Sequence, residues 1–287
     1  MPLAMLVGGL TYPLTSYLSF CTPYLIAIML FISYCNISIE DIHFSKLHLW
    51  LLLIQVFGGM GIYLALNSFN HIIAEGAMIC ILAPTATSAV VITNMLGGNS
   101  ASLTAYSILS NLAIAFVAPM LFAYIGDHAE MSFYQSLWLI SKRVFILLLS
   151  PFILAILLDK FLPRVHNEIK KKQSVSFYLW TFALIIITAK TVKFIADQEN
   201  PAVWIEFAVG GIALVVCLLQ FLIGKTLGSH YNDRIAGGQG LGQKNTVLAI
   251  WMAQTYLNPI SSIGPGAYVL WQNIVNSYQV WRRRKTL

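Results

Sequence analysis

Charged positions cut this chain into long apolar runs, and the lengths of those runs define its elements. About 20 predominantly apolar residues carry a helix across a bilayer. Leu47 to Leu66 and Ile260 to Trp281 meet that length without an acid or a Lys or Arg, and Val203 to Ile223 carries only Glu206 near its start. Leu137 to Leu158 contains Lys142 and Arg143 near one end, Phe177 to Ala189 continues past Lys190 to Ile195, and Tyr17 to Ile39 has Pro23 near its entry. Ser100 to Ile125 follows a Gly97-Gly98-Asn99 turn. Two further runs are interrupted: Ile72 to Leu96 by Ala83-Pro84-Thr85-Ala86-Thr87-Ser88, and Ile235 to Leu257 by the polar, glycine-rich stretch Gly237 to Asn245. Met1 to Thr11 is half a span, so the first helix reads as a stub or begins upstream. The pattern predicts an all-α polytopic membrane protein of about ten transmembrane helices.

Composition agrees. Hydrophobic residues make up 58% of the 287 positions and charged residues 10%, against about 25% charged in soluble domains. A water-soluble enzyme or a disordered chain is excluded on that ground. The net charge of +6 does not imply a nucleic-acid partner, because Lys and Arg sit in short runs between spans. With both ends inside, the cytoplasmic side collects Lys46, Lys160, Arg164, Lys170 to Lys172, Lys225, Arg234 and Arg282 to Lys285, whereas Lys190 and Lys193 fall opposite. The positive-inside rule therefore predicts a multi-pass protein of the plasma (inner) membrane with a cytoplasmic C-terminus. Cys21, Cys35, Cys80 and Cys217 show no metal spacing and read as small apolar-core residues. The six histidines lie in or beside predicted loops, so no metal site is read. The N-terminus lacks the basic region and small-residue cleavage site of a signal peptide.

The interruptions, around Pro84 in the fourth span and Gly240 in the ninth, carry the functional reading. A single Pro or Gly in a transmembrane helix is usually a kink. Two breaks five spans apart place matching interruptions in two oppositely oriented halves, residues 1–125 and 126–287, and such pairs mark transporter binding sites. Backbone groups freed in hydrocarbon cost several kcal/mol each, so a midplane break persists only where protein or a wet cavity satisfies it.

Residue order then brings a resemblance into view. Ala83-Pro84-Thr85-Ala86-Thr87-Ser88-Ala89-Val90-Val91, with Gly97-Gly98-Asn99 after it, resembles the C-P-G-G-T-A-S-N-V stretch and following turn of the bile acid:sodium symporter superfamily. Gly264-Pro265-Gly266-Ala267 with Trp271-Gln272-Asn273 is similar to its P-G-A…W-H-N, Gln55 matches a Gln the family keeps, and Tyr231 to Ala253 aligns without a gap. The resemblance implies two inverted five-helix repeats, a core domain with crossing broken helices, and a panel domain. It also implies alternating-access transport of organic anions such as bile acids, sulfated steroids or small carboxylates, commonly coupled to sodium.

Where the family binds sodium this chain departs. The family's Ser-Asn pair is Ala89 and Val90, its hydroxyl pair in the fifth span is Leu103 and Ser107, and its E-V-G-M-Q-N reads Gly240-Leu241-Gly242-Gln243-Lys244-Asn245. Gln55, Ala89, Val90, Leu103, Gly240 and Lys244 are read as a former cation site, and sodium is not expected as a cofactor, because a hard cation requires a shell of oxygen ligands. Lys244 at membrane depth is itself a functional signal. Its ammonium is read as a surrogate for the lost cation, as a proton-coupling group, or as a side chain snorkelling to the interface. Glu75 and Glu206, near span ends, read as solvated, with either available as a partner for Lys244. Thr85, Thr87, Ser88, Asn94, Ser107, Asn111, Gln243 and Asn245 are the candidate cavity residues, and Asn273 reads as structural.

The resulting expectation is a secondary transporter of a small organic solute, an organic anion by resemblance, not coupled to sodium. The alternatives are a membrane sensor that keeps the fold without transporting and a proton-coupled transporter using Lys244. An intramembrane enzyme lacks support: there is no HExxH, no Gly-x-Ser-x-Gly and no pair of acids within spans.

Overall fold

In the computed structural model, which describes residues 2–36, 43–126, 132–197 and 203–286, the apolar runs are helices. In chain order these are α1 (Pro2–Leu10), α2 (Tyr12–Thr15), α3 (Thr22–Tyr34), α4 (Lys46–Asn67), α5 (His71–Leu82), α6 (Ser88–Met95) and α7 (Ser100–Ile125). They continue as α8 (Phe133–Phe161), α9 (Pro163–Lys170), α10 (Gln173–Ala196), α11 (Val203–His230), α12 (Arg234–Gly242), α13 (Thr246–Tyr256) and α14 (Ile263–Thr286). Short 3-10 segments cover Ser16–Cys21 and Pro259–Ser262. The only extended pairing among the described residues is one antiparallel bridge, Thr85 to Lys244.

Local signals set the helix ends. Asn70 accepts the Ile73 N–H at 3.1 Å ahead of α5, and Ser132 with Gln135 forms a reciprocal capping box ahead of α8. His48 takes the Glu/Gln position of such a box at α4, its Nδ1 accepting the Ser45 N–H at 3.2 Å. Pro119 and Pro151 lie inside α7 and α8 without ending them.

Six segments are long and apolar enough to span: Tyr12–Tyr34, Lys46–Asn67, Ser100–Ile125, Phe133–Phe161, Val175–Ala196 and Val203–His230. The expected fourth and ninth spans are each divided into two short helices. The expected tenth, now α14, falls below that apolarity because it carries Gln272, Asn273 and Asn276 and ends in the Arg282 run. The end of the expected Tyr17 to Ile39 span lies outside the described residues.

Two compact units emerge, residues 1–39, 115–201 and 255–259 in one, residues 40–114, 202–254 and 260–287 in the other. Each draws on both halves of the sequence. In the first, α10 packs against α1, α2 and α3, and α3 against α8. Tyr34 meets Phe152 edge to face at 5.3 Å, and Lys193 Nζ lies 4.6 Å from the Tyr17 ring centre. In the second, α4 pairs with α5, α11 carries α5, α12 and α14, and α12 reaches α4 and α6.

The α11–α12 hairpin is built backbone to backbone. A Cβ at Gly237 would sit 2.9 Å from Gly228 Cα, and one at Gly224 would collide with the Gly237 carbonyl. Asn232, at φ 56°, makes the tight reversal between the two helices. This close contact corrects the expected position of the second break. The glycines from Gly237 to Gly242 remain helical, and the chain opens only at Gln243 to Asn245. Gly is a poor helix former in isolation, but here its missing side chain lets α12 lie directly on α11.

Candidate functional site

The first break follows from Pro84. A proline has no amide hydrogen and drives the preceding residue out of the helical region; Ala83 stands at φ −47° and ψ 136°. The second break opens at Gln243, extended at φ −103° and ψ 104°. The two opened pieces lie antiparallel and satisfy one another. The Ala86 N–H donates to the Gln243 carbonyl at 3.0 Å, and the Asn245 N–H donates to the Pro84 carbonyl at 2.8 Å.

The remaining freed groups are met by buried side chains. Gln55 Nε2 donates to the carbonyls of Leu82 (2.8 Å) and Ala83 (2.9 Å), while its Oε1 accepts from Tyr106 OH (2.8 Å) and Ser110 Oγ (2.9 Å). Ser110 Oγ also accepts the Thr85 N–H at 3.2 Å. At the second break Tyr268 OH donates to the Gly242 carbonyl at 2.9 Å, Gln220 Nε2 donates to Tyr268 OH at 3.0 Å and to the Cys80 carbonyl at 3.1 Å, and Gln272 Oε1 accepts the Lys244 N–H at 2.9 Å. Each break is thus met by side chains four positions apart on a later helix, Tyr106 and Ser110 on α7 and Tyr268 and Gln272 on α14, and each Tyr is joined to a Gln, Gln55 on α4 or Gln220 on α11, that bonds carbonyls at the end of α5. Tyr106, Ser110, Gln220, Tyr268 and Gln272 were not among the residues expected from sequence; the i, i+4 spacing of Tyr106 with Ser110 and of Tyr268 with Gln272 is the signal that points to them.

Most of the expected cavity residues converge on this crossing. Thr85 Oγ1 donates to the Gly240 carbonyl at 2.8 Å. Asn111 Nδ2 bonds the Ser107 carbonyl at 2.8 Å and approaches the Thr85 carbonyl at 3.4 Å, as does Ser107 Oγ. Gln243 Nε2 donates to Ser88 Oγ at 3.1 Å, and its Oε1 accepts from Asn276 Nδ2 at 3.1 Å. Asn245 Oδ1 receives the Leu248 N–H at 3.3 Å, capping α13. Thr87 and Asn245 are half-buried and Ser88 is exposed. Asn94 is exposed toward the far end of α6 and is not brought to the crossing. Asn273 bonds back to the Val269 carbonyl within its own helix, as its structural reading implies.

The former cation positions are packed differently. Ala89 and Leu103 are buried in an apolar cluster with Leu47, Leu51, Tyr106, Ala236 and Leu241, and Val90 lies against it. Gly240 faces the Tyr106 ring: a Cβ there would sit 2.8 Å from Cδ1 and 3.1 Å from Cε1.

Lys244 does not snorkel. It is 1% exposed, and Nζ donates to the Ile81 carbonyl at 2.7 Å. Among the described residues the ion pairs are His166 with Asp159 and Lys171 with Glu168, and neither includes Lys244. Glu75 is buried rather than solvated, because α5 is enclosed along nearly its whole length. His48, expected near a loop, is buried at the start of α4, with Nε2 2.9 Å from Ser102 Oγ.

Comparison with known proteins gives one family. The sequence model of the Sodium Bile acid symporter family matches residues 23–198, a stretch that contains the first break, Gln55, Tyr106 and Ser110 and stops short of the second break. No curated protein matches the chain.

Proposed function

The chain belongs to the sodium bile acid symporter family, and from that premise we propose that it is a secondary transporter moving a small organic anion by alternating access without sodium. Family membership and the apolar helices make it a multi-pass membrane protein of a transporter family. The observation that carries the finer reading is the buried crossing of two opened helices, at which both α6 and α13 begin. Helix N-termini carry partial positive charge, so two of them at one crossing favour a carboxylate or sulfate. The Tyr and polar residue four positions apart that meet each break, Tyr106 with Ser110 and Tyr268 with Gln272, support residues 1–125 and 126–287 as inverted repeats, with the two compact units as core and panel.

Purified protein in liposomes tests this. Uptake of at least one of taurocholate, a sulfated steroid or a short carboxylate is expected, changing less than twofold when choline replaces Na+ at constant ionic strength. Saturable binding without flux would favour a sensor, and a steep Na+ dependence would overturn the sodium-free reading.

The proposed orientation places residues 159–173 and the C-terminus in the cytoplasm. Lys171, exposed and 2.6 Å from Glu168, is the reporter: Lys171→Cys in a cysteine-free background should resist an impermeant thiol reagent in intact cells. Ready labelling from outside would reverse the topology.

A further inference from the structure

Sodium is the ion the family implies, and the residues at its position do not fit it. The space an acidic side chain would need at Gly240 is filled by Tyr106, 2.8 Å from an added Cβ, and by Leu51 Cδ1 at 3.4 Å. Ala89 and Leu103, in place of oxygen-bearing side chains, belong to a buried apolar cluster. The Leu82 and Ala83 carbonyls already accept from Gln55 Nε2, and Gln55 Oε1 already accepts two hydroxyls. None of Ala89, Leu103 and Gly240 supplies a side-chain oxygen and that of Gln55 is already engaged, so these positions do not make the oxygen shell of a hard cation.

One cationic group does reach this region. The last carbonyls of a helix lack intrahelical partners and carry partial negative charge, and the last turn of α5 ends inside the protein at Ala83 and Pro84. Lys244 Nζ meets its Ile81 carbonyl at 2.7 Å. The Lys244 main chain is held independently, its N–H by Gln272 Oε1 at 2.9 Å and its carbonyl by the Thr246 N–H at 2.9 Å. The stem therefore leaves a fixed point on the second break and ends on the helix that precedes the first.

We propose that the Lys244 ammonium is a covalently attached replacement for the coupling ion, a positioning group that fastens the second break to the C-terminal end of α5. It rests on the transporter reading for one consequence only: with no exchangeable ion at the crossing, the protein equilibrates its solute across the membrane and does not concentrate it. A compact ammonium with three donors suits a site of backbone carbonyls.

Thermal unfolding of the purified full chain tests the fastening without reference to transport. Lys244→Met keeps the volume of the stem and removes the charge, so a mere packing role would survive it. Its midpoint is expected to fall by about 2–6 °C, because a buried carbonyl loses its donor. The wild-type midpoint should be the same in NaCl and choline chloride. In liposomes, an imposed Na+ or proton gradient should drive no accumulation beyond equilibrium, and Lys244→Met should slow solute equilibration at least tenfold.

An unchanged midpoint in Lys244→Met overturns the fastening. Saturable stabilisation of the wild type by Na+ overturns the replacement of the ion, and accumulation driven by a proton gradient overturns it in favour of a titrating Lys244. If Lys244→Met fails to fold, the wild-type measurements decide alone. Absence of flux for the wild type, with the expected thermal behaviour, sinks the transporter reading and leaves the fastening intact.

Discussion

Gly240→Glu is expected to leave little folded protein. The new Cβ would lie 2.8 Å from Tyr106 Cδ1 and 3.1 Å from Cε1, and the ring has nowhere to go: Tyr106 is 1% exposed and its hydroxyl is bonded to Gln55. Overpacking of this kind costs about 1–3 kcal/mol. The carboxylate adds a buried charge without a partner, for a further penalty of several kcal/mol. Together these approach the roughly 5–15 kcal/mol that holds a typical domain folded. Gly240→Ala carries only the first penalty and should lower the melting midpoint by about 2–6 °C. Tyr106→Val combined with Gly240→Glu should recover part of the yield by emptying the space. The measurement is monodisperse yield by size exclusion together with the thermal midpoint. A Gly240→Glu protein melting like the wild type would mean that the ring does not occupy this space. Restoring the acid at position 240 and an amide at position 244 is therefore insufficient to rebuild a sodium site; Tyr106 must yield as well.

Gln55→Leu should be nearly as damaging, for the opposite reason. Its volume is close to that of the native side chain, so the loss is polar. The Leu82 and Ala83 carbonyls lose their donor, and Tyr106 OH and Ser110 Oγ lose their acceptor. Ser110 Oγ keeps the Thr85 N–H; the other three groups cost about 1–3 kcal/mol each, at least about 3 kcal/mol together, and a fall in the midpoint of more than about 6 °C is expected. Gln55→Glu should do no better, since it sets a carboxylate oxygen against two carbonyls. If Gln55→Leu unfolds within 2 °C or so of the wild type, the first break is held by something other than this amide.

How far these features could be read in advance depends on the kind of physics behind each. Pro84 announces its break because the missing amide hydrogen acts locally, and the break appears where the proline stands. Gly240 misleads because a glycine's effect depends on what lies opposite. Against the α11 backbone the glycines of α12 favour contact rather than disorder, and the chain opens three residues later. Lys244 was legible because a charge at that depth has few ways to be tolerated. The Ile81 carbonyl that receives it was not, since no sequence pattern marks which backbone oxygen lies within reach. Gln220 and Gln272 looked like ordinary polar residues within apolar spans; only the tertiary approach of α11 and α14 gives them their roles. The low apolarity of α14 has the same origin, because Gln272 and Asn276 are turned to partners inside the protein.

The crossing itself is drawn with main-chain atoms: an amide of Ala86 on a carbonyl of Gln243, an amide of Asn245 on a carbonyl of Pro84. Every residue but proline brings the same donor and the same acceptor to such a pairing. These two main-chain bonds would form with any non-proline residue at Ala86 and Asn245, whatever further bonds the Gln243 and Asn245 side chains make. Thr87, Ser88 and Asn245 are not fully enclosed, and changing them leaves the two main-chain bonds in place, although Asn245 would lose its cap on α13 and Ser88 its bond from Gln243. On the proposed function, architecture and selectivity would then be carried by different atoms, and the scaffold could acquire a different cargo through a handful of point changes while its skeleton stays the same.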